Sequence, residues 1–292
     1  MRYEAPDTAE RAVQLLAGEA GIARILAGGT DLLVQMRTDV VDPVLVVDIK
    51  GIKETRSIVE ETGGFRLGAA VTGAELKEHA KFKSTWPGLV EAANLIGSTQ
   101  VQGRATLGGN LCNASPAADS VPALIAAGAK ATIVGPNGRR EIPVEQVVTG
   151  VRKLSLAKGE FVTSFLLPPR GAHGGDAYLR FIPRTEMDIA VVGCAVSLNL
   201  DAAGKCVNAC VSLGAVAATA LVVADAAKAL VGTMVDAAAI DKAAAACAAA
   251  CKPIDDKRGT KEFRIKIASV LAKRTIANAL ARAQGKTVKG LY

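Results

Sequence analysis

The chain has 292 residues, of which 50% are hydrophobic and 22% charged, and its net charge is +7. These values exclude a disordered chain, which combines low hydrophobicity with high net charge, and the length predicts about two domains. Only 3% of the residues are aromatic, so the core must consist largely of Ala, Val, Leu and Ile. The scattered bases are accompanied by acids and lack interleaved aromatics, which argues against nucleic-acid binding.

No segment is typical of export or of a membrane span. The N-terminus contains acids, whereas a signal peptide has a basic start followed by an apolar run. Residues 206–224 carry no charge and approach spanning length, but they include Asn208, Ser212, Gly214 and Thr219 and much alanine. We predict a strand, a glycine turn and a helix start there. We therefore expect a cytoplasmic protein with no membrane span.

Four of the six cysteines form two C-x3-C pairs, Cys206 with Cys210 and Cys247 with Cys251. Together they could form a zinc or iron–sulfur site, but metal loops space their ligands around Gly or Pro, and neither pair lies in such a loop. The second pair lies in alanine-rich sequence that favours one helix face. We predict reduced thiols that serve as small apolar core residues, and no metal site.

Apolar spacing in the first part of the chain predicts short helices and strands in alternation. Thr72, followed by Glu75 three residues later, predicts a helix that begins with a capping box. In chain order we predict a helix over 6–17, a strand over 23–26, a helix over 32–36, strands over 44–49 and 63–70, helices over 86–96 and 121–127, and strands over 131–134 and 161–167.

Residues 168–175, with the sequence PPRGAHGG, form the clearest domain boundary because they are rich in Pro and Gly and poor in apolar residues. Beyond them we predict strands over 190–199 and 207–213, joined by a turn, and then alanine-rich helices from about residue 220 onward. The sequence therefore predicts an α+β fold with a first domain over residues 1–170 and a second over 176–292.

Gly28 and Gly29 form a turn between a predicted strand and a predicted helix, within the sequence AGGTD. Paired glycines permit positive φ and bring backbone N–H groups close to a ligand. The helix that follows adds the positive end of its dipole, which favours a phosphate or a pyrophosphate. An ordinary tight turn is the alternative, because Gly-Gly turns are common.

Gly108 and Gly109 form a second turn of the same kind, in TLGGN, and Asp119 follows as a possible acceptor for sugar hydroxyls. Two such turns in one domain suggest an extended dinucleotide held between two subdomains. A Rossmann domain is a competing interpretation, with Asp48 placed as its ribose-binding acid. However, that fold requires G-x-G-x-x-G, and the third glycine is missing here.

Five ordered motifs span nearly the whole chain: LAGGTDLLVQMR, TLGGNLCNASPAADSVPAL, RTEMDIAVV, LGAVA and DKRGTKEFR. Together they resemble the FAD-binding (medium) subunit of molybdenum hydroxylases, the xanthine dehydrogenase and carbon monoxide dehydrogenase group. The resemblance implies a PCMH/vanillyl-alcohol-oxidase-type FAD-binding domain with subdomains of about residues 1–55 and 56–170. A smaller C-terminal domain of the CO dehydrogenase flavoprotein type would cover the flavin.

The resemblance also implies which residues contact FAD. The first turn would wrap the pyrophosphate, the second would form another phosphate-side loop, and Asp119 would accept from a cofactor hydroxyl. Ile189 would lie near the isoalloxazine ring, and Val162 and Arg180 would make further contacts. The implied set is Ala27, Gly28, Gly29, Thr30, Asp31, Leu32, Thr106, Gly108, Gly109, Asn110, Asp119, Val162, Arg180 and Ile189.

The implied function is electron transfer from a small 2Fe–2S subunit, through FAD, to an external acceptor, with substrate oxidised on a large molybdenum subunit in a dimer of heterotrimers. The molybdenum cofactor and the 2Fe–2S clusters are expected on partners only, since the chain lacks a plant-type C-x4-C-x2-C run. We expect non-covalent FAD, because the only histidines, His79 and His173, lie in polar surroundings. The alternatives are a stand-alone FAD oxidoreductase, an NAD-binding Rossmann dehydrogenase and a scaffold without cofactor.

Overall fold

The computed structural model describes residues 1–62, 64–184 and 186–288. Three sequence features extend outside these ranges: Gly63 in the predicted strand 63–70, Thr185 in the motif RTEMDIAVV, and residues 289–292 of the predicted second domain. Within the described residues, α-helices of 4 to 23 residues combine with one small parallel sheet and with antiparallel sheets. This mixture confirms the predicted α+β class.

The N-terminal unit is a three-stranded parallel sheet in the order β1–β3–β2. Its elements are β1 (Arg2–Glu4), α1 (Ala9–Gly18), β2 (Ala23–Leu26), α2 (Leu32–Arg37) and β3 (Leu45–Asp48). Helix α1 begins after Thr8, whose hydroxyl accepts a hydrogen bond from the Arg11 backbone N–H. Ala12 and Leu16 of this helix share a buried core with Leu45. The first glycine turn follows the end of β2 directly.

The second unit contains a five-stranded antiparallel sheet in the order β4–β5–β10–β6–β7. The capping box of Thr72 and Glu75 is present, and Phe65 packs edge-on against Phe82 with ring centroids 5.3 Å apart. The elements of this unit are α3 (Lys53–Arg56), β4 (Ile58–Glu61), β5 (Gly64–Gly68), α4 (Gly73–Glu78), α5 (Ala80–Thr85), α6 (Pro87–Ala93), α7 (Thr99–Gln102), α8 (Leu107–Cys112), α9 (Ser120–Ala126), β6 (Lys130–Gly135), β7 (Gly138–Pro143), β8 (Val148–Gly150), β9 (Lys153–Leu154) and β10 (Phe161–Leu167).

The third unit is a four-stranded antiparallel sheet, β11–β12–β13–β14, against which helices pack. Its elements are β11 (Gly174–Phe181), β12 (Val192–Leu200), β13 (Cys206–Gly214), β14 (Leu221–Val222), α10 (Ala224–Leu230), α11 (Ala237–Ala250) and α12 (Lys261–Ala283). Strand β11 was not predicted, and it begins inside the predicted linker. Gly175 is required there because α12 crosses it so closely that a Cβ would overlap the Ala279 carbonyl oxygen.

The cysteines are free thiols, and burial raises the pKa of Cys194 to about 12 and that of Cys251 to about 11. Cys206 and Cys210 lie on β13, and Cys247 lies on α11. No group of three or more His, Cys, Asp or Glu side chains among the described residues could hold a metal ion. In the described ranges, no helix has both the length and the apolar character needed to cross a membrane.

Buried ionic contacts join the third unit to the second. The Asp176 carboxylate accepts from Arg170 Nη1 at 2.6 Å and from the Leu89 backbone N–H at 3.2 Å. Arg282, near the end of α12, forms an ion pair with Glu91 on α6. Because these contacts connect β11 and α12 to α6, they fix the C-terminal sheet against the helices of the second unit.

Candidate functional site

A cavity of about 700 Å³ opens between the N-terminal unit and the second unit, and its volume lies within the usual range of ligand pockets. Both glycine turns line it, although about eighty residues separate them in sequence. The predicted site residues found in its wall are Ala27, Gly28, Gly29, Thr30, Asp31, Leu32, Thr106, Gly108, Gly109, Asn110 and Val162. The structure therefore places most of the predicted set around one space.

The first turn is shaped by contact with the second unit. Gly29 has a φ of +84°, a conformation that favours glycine. A Cβ on Gly28 would overlap the backbone carbonyl oxygen of Arg104, two residues before Thr106. The Leu33 N–H donates to the Gly29 carbonyl at 3.0 Å and begins α2. The two turns can therefore approach each other only because residue 28 lacks a side chain.

The second glycine turn lies at the start of helix α8, where Gly108 and Gly109 are the second and third helical residues. Thr106 is its N-cap, and its hydroxyl accepts from the Gly109 N–H at 3.0 Å. A Cβ on Gly108 would lie 2.6 Å from the Ala69 Cβ, so this glycine is also required by packing. Asn110 Oδ1 accepts from the Ser120 hydroxyl at 2.6 Å. The amide oxygen of Asn110 thus orders the turn and the start of α9.

These features fit an extended dinucleotide such as FAD. A Cβ at Gly28 or Gly108 would collide with neighbouring protein atoms. These two glycines therefore allow the backbone of each turn to pack directly against the neighbouring backbone and side chains that complete the cavity wall. Gly109 is different, because a Cβ there would meet only the Thr106 hydroxyl within 4 Å, at 3.0 Å. The space beside its Cα is otherwise open, and Gly109 lines the cavity from the first residues of α8. A pyrophosphate can come close to the protein backbone only where no side chain stands in the way.

Asp31 lies at the cavity wall and is solvent-exposed. The surrounding protein raises the pKa of its carboxyl by desolvation. Asp31 precedes α2 but forms no side-chain capping bond. Its carboxyl group is therefore not used to begin that helix.

Asp119 and Arg180 lie outside the cavity wall, in the contact between the second and third units. Arg180 Nη1 donates to Asp119 Oδ2 at 2.7 Å, and the Tyr178 hydroxyl donates to Asp119 Oδ1 at 2.8 Å. Burial raises the pKa of Asp119 to about 6, although Arg180 opposes the shift. Both carboxylate oxygens have protein partners, in contrast to the free acceptor that the sequence led us to expect.

Ile189 also lies outside the cavity wall and is 50% exposed. Its loop is held by Asp188, whose carboxylate accepts from Arg184 Nε at 3.0 Å and from the Ile189 N–H at 2.8 Å. The Asp188 carbonyl oxygen accepts from Arg180 Nη1 at 3.4 Å. Ile189 and the Asp119–Arg180 pair thus form one connected group at the contact between the second and third units, outside the cavity wall that holds the glycine turns.

Three cations in the cavity wall were missed by the sequence interpretation: Arg24, Arg152 and Lys158. Arg24 lies on β2, Arg152 lies between β8 and β9, and Lys158 precedes β10, and none of them belongs to a motif, so the sequence offered no signal. Neither histidine lines the cavity, and His79 Nδ1 accepts from the Phe82 N–H at the start of α5.

Two family models cover most of the chain. Residues 1–170 match the FAD binding domain in molybdopterin dehydrogenase, and residues 177–279 match the CO dehydrogenase flavoprotein C-terminal domain. The putative xanthine dehydrogenase FAD-binding subunit of Escherichia coli K12 is 32% identical over 286 residues, and the alignment covers 97% of each chain. The carbon monoxide dehydrogenase medium chain of Afipia carboxidovorans is 34% identical over 282 residues, again with 97% of each chain covered.

Solved structures agree with these matches. A chain of the reconstituted CO dehydrogenase from Oligotropha carboxidovorans superposes with a TM-score of 0.92 at 34% identity, over 97% of this chain and 98% of that one. A chain of quinoline 2-oxidoreductase from Pseudomonas putida 86 gives 0.88 at 28% identity, with the same coverage. The resemblance inferred from the five motifs is confirmed. The Rossmann alternative is wrong, because among the described residues the parallel sheet has three strands and antiparallel sheets follow it.

Proposed function

Because the chain belongs to the family of FAD-binding subunits of molybdenum hydroxylases, we propose that it is the electron-transfer subunit of a multi-subunit dehydrogenase. The observation that carries this proposal is the cavity that both glycine turns line. It supports a cofactor that spans the N-terminal unit and the second unit, which suits a dinucleotide better than a small substrate.

The chain's own residues bind and orient the cofactor. Backbone groups of Gly28, Gly29 and Thr30 and of Gly108 and Gly109 hold the pyrophosphate. The other proposed wall contacts are Ala27, Asp31, Leu32, Thr106, Asn110 and Val162. Between the second and third units, the Asp119–Arg180 pair orients the loop that carries Ile189, the proposed neighbour of the flavin ring. This loop and its sheet exclude water from one side of the flavin.

When bound, FAD supplies the redox chemistry that connects a 2Fe–2S partner subunit to an external electron acceptor. The partners we propose are a large molybdenum-binding subunit and a small 2Fe–2S subunit, in a cytoplasmic dimer of heterotrimers. The name "medium chain" of a 34% identical relative supports an assembly with larger and smaller chains. Substrate oxidation then belongs to another subunit, so this chain needs no acid–base pair.

The first measurement is the visible absorbance spectrum of the purified protein, with the cofactor identified after denaturation. We expect a flavin spectrum and release of FAD by denaturation alone, because no histidine lines the cavity to form a covalent link. Addition of the partner subunits should be necessary for turnover. A colourless protein that takes up no FAD, alone or with partners, contradicts the proposal. Substrate turnover by the chain alone favours a stand-alone oxidoreductase.

A further inference from the structure

The cofactor cavity contains positive charge that backbone turns cannot supply. Arg24, Arg152 and Lys158 line its wall. Within the described residues, none of these three side chains forms an ion pair with a carboxylate. The Arg24 guanidinium is turned toward the backbone and donates to the Ala23 carbonyl oxygen at 3.0 Å. The side chains of Arg152 and Lys158 form no hydrogen bond with any other described residue.

Two of the three acids in the cavity wall form ion pairs with arginines that do not line the cavity. Glu19 pairs with Arg2 at 2.7 Å, and Glu160 pairs with Arg140 at 2.8 Å. Asp31 is the third acid of the wall, and within the described residues it forms no ion pair. Three cations without a carboxylate partner against one unpaired carboxylate leave the cavity with a net positive charge, which suits an anionic ligand.

Arg152 is held in place by an unusual backbone. It has a φ of +56°, in the turn between β8 and β9, and its N–H donates to the Ala114 carbonyl oxygen at 3.0 Å. Ala114 also has a positive φ, of +51°, and it follows α8, the helix that begins with the second glycine turn. Such conformations cost about 1–3 kcal/mol for residues with a side chain. Two strained residues thus join the β8–β9 hairpin to the helix of the cofactor-binding turn.

We propose that Arg152 is the counter-ion of the cofactor's pyrophosphate. The inference rests on the proposed function and adds to it a charged residue outside both glycine turns. Backbone N–H groups of the turns donate hydrogen bonds but carry no net charge, whereas a guanidinium offsets the negative charge of a pyrophosphate directly. A guanidinium without a carboxylate partner binds phosphate oxygens with two parallel hydrogen bonds. The hairpin turn fixes the backbone of Arg152 beside the second glycine turn, and its side chain lines the cavity.

The test compares variants of the full-length protein after removal of its cofactor. Arg152→Gln removes the charge, and Arg152→Gly removes it while easing the positive φ, so the two separate charge from backbone strain. Lys153→Gln is the matched control, since Lys153 is in the same hairpin but does not line the cavity. Dissociation constants are measured by flavin fluorescence for FAD and for riboflavin, which has no phosphate, at low and high ionic strength.

We expect both Arg152 variants to bind FAD about tenfold more weakly, with riboflavin binding unchanged and a smaller effect of salt than in the unaltered protein. Lys153→Gln should match the unaltered protein. FAD binding by Arg152→Gln equal to that of the control overturns the inference, as does an equal loss of FAD and riboflavin. If the unaltered protein binds no flavin, the proposed function fails as well. If it binds FAD and the Arg152 variants are unaffected, only this inference fails.

Discussion

Gly28→Ala is expected to lose its bound FAD while the chain still folds. The new Cβ would overlap the backbone carbonyl oxygen of Arg104, and rotation of a side chain cannot relieve contact with backbone. Overpacking of this kind costs about 1–3 kcal/mol. Because Arg104 lies two residues before Thr106, relief of the overlap moves the two glycine turns apart. We expect FAD content per chain, measured by absorbance, to fall about tenfold or more, with a smaller change in thermal stability.

Gly18→Ala is the control for this experiment. Gly18 ends α1, lies outside the cavity wall, and a Cβ there would meet no atom within 4 Å. Alanine also restricts the unfolded chain, so we expect unchanged FAD content and up to about 1 kcal/mol of added stability. If Gly28→Ala retains as much FAD as Gly18→Ala, the close approach of the two turns is not needed for binding.

The glycine turns were predictable because their chemistry is local. Paired glycines between a strand and a helix are visible in the sequence, and so is the Thr72–Glu75 capping box. What the sequence did not contain was the contact partner of each glycine. Arg104 leaves no room for a side chain at Gly28, and Ala69 leaves none at Gly108. Both partners are far away in sequence from the glycine that they contact. The sequence therefore predicted where a close backbone approach occurs, but not which residue each glycine approaches.

The features that the sequence did not predict depend on contacts between residues that are far apart in the chain. Strand β11 starts at two glycines that read as a linker, although Gly175 is needed where α12 crosses the strand. The β8–β9 hairpin was also missed, and with it Arg152, whose backbone conformation is fixed by a bond to Ala114. Asp119 looked like a free acceptor, and only the fold brings Arg180 to it.

The contact between the second and third units is expected to affect how well the flavin is covered. The sheet that carries Arg180 and the Ile189 loop is attached through β11, and β11 is fixed to the second unit by Asp176. Loosening this attachment should therefore free the loop that we propose to cover the flavin. Stability at the domain contact and protection of the flavin are then expected to change together.

Asp176→Ala is expected to lower the thermal unfolding midpoint by roughly 10 °C, the largest stability effect we predict. Asp176 is 5% exposed, and burial raises the pKa of its carboxyl even though Arg170 opposes the shift. The substitution leaves the Arg170 guanidinium and the Leu89 N–H without this partner in a buried contact. Breaking a buried pair from one side costs about 3–5 kcal/mol.

Asp176→Asn separates charge from shape, because its amide oxygen can still accept from the Leu89 N–H while the ion pair with Arg170 is lost. We expect an intermediate midpoint. Asp225→Ala removes an exposed pair with Lys228, and exposed pairs contribute at most about 1 kcal/mol, so it should leave the midpoint nearly unchanged. Quenching of flavin fluorescence by iodide should increase in Asp176→Ala but not in Asp225→Ala, since only the first loosens the sheet that carries the loop proposed to cover the flavin. Equal midpoints for Asp176→Ala and Asp225→Ala would show that the buried pair does not hold the domains together.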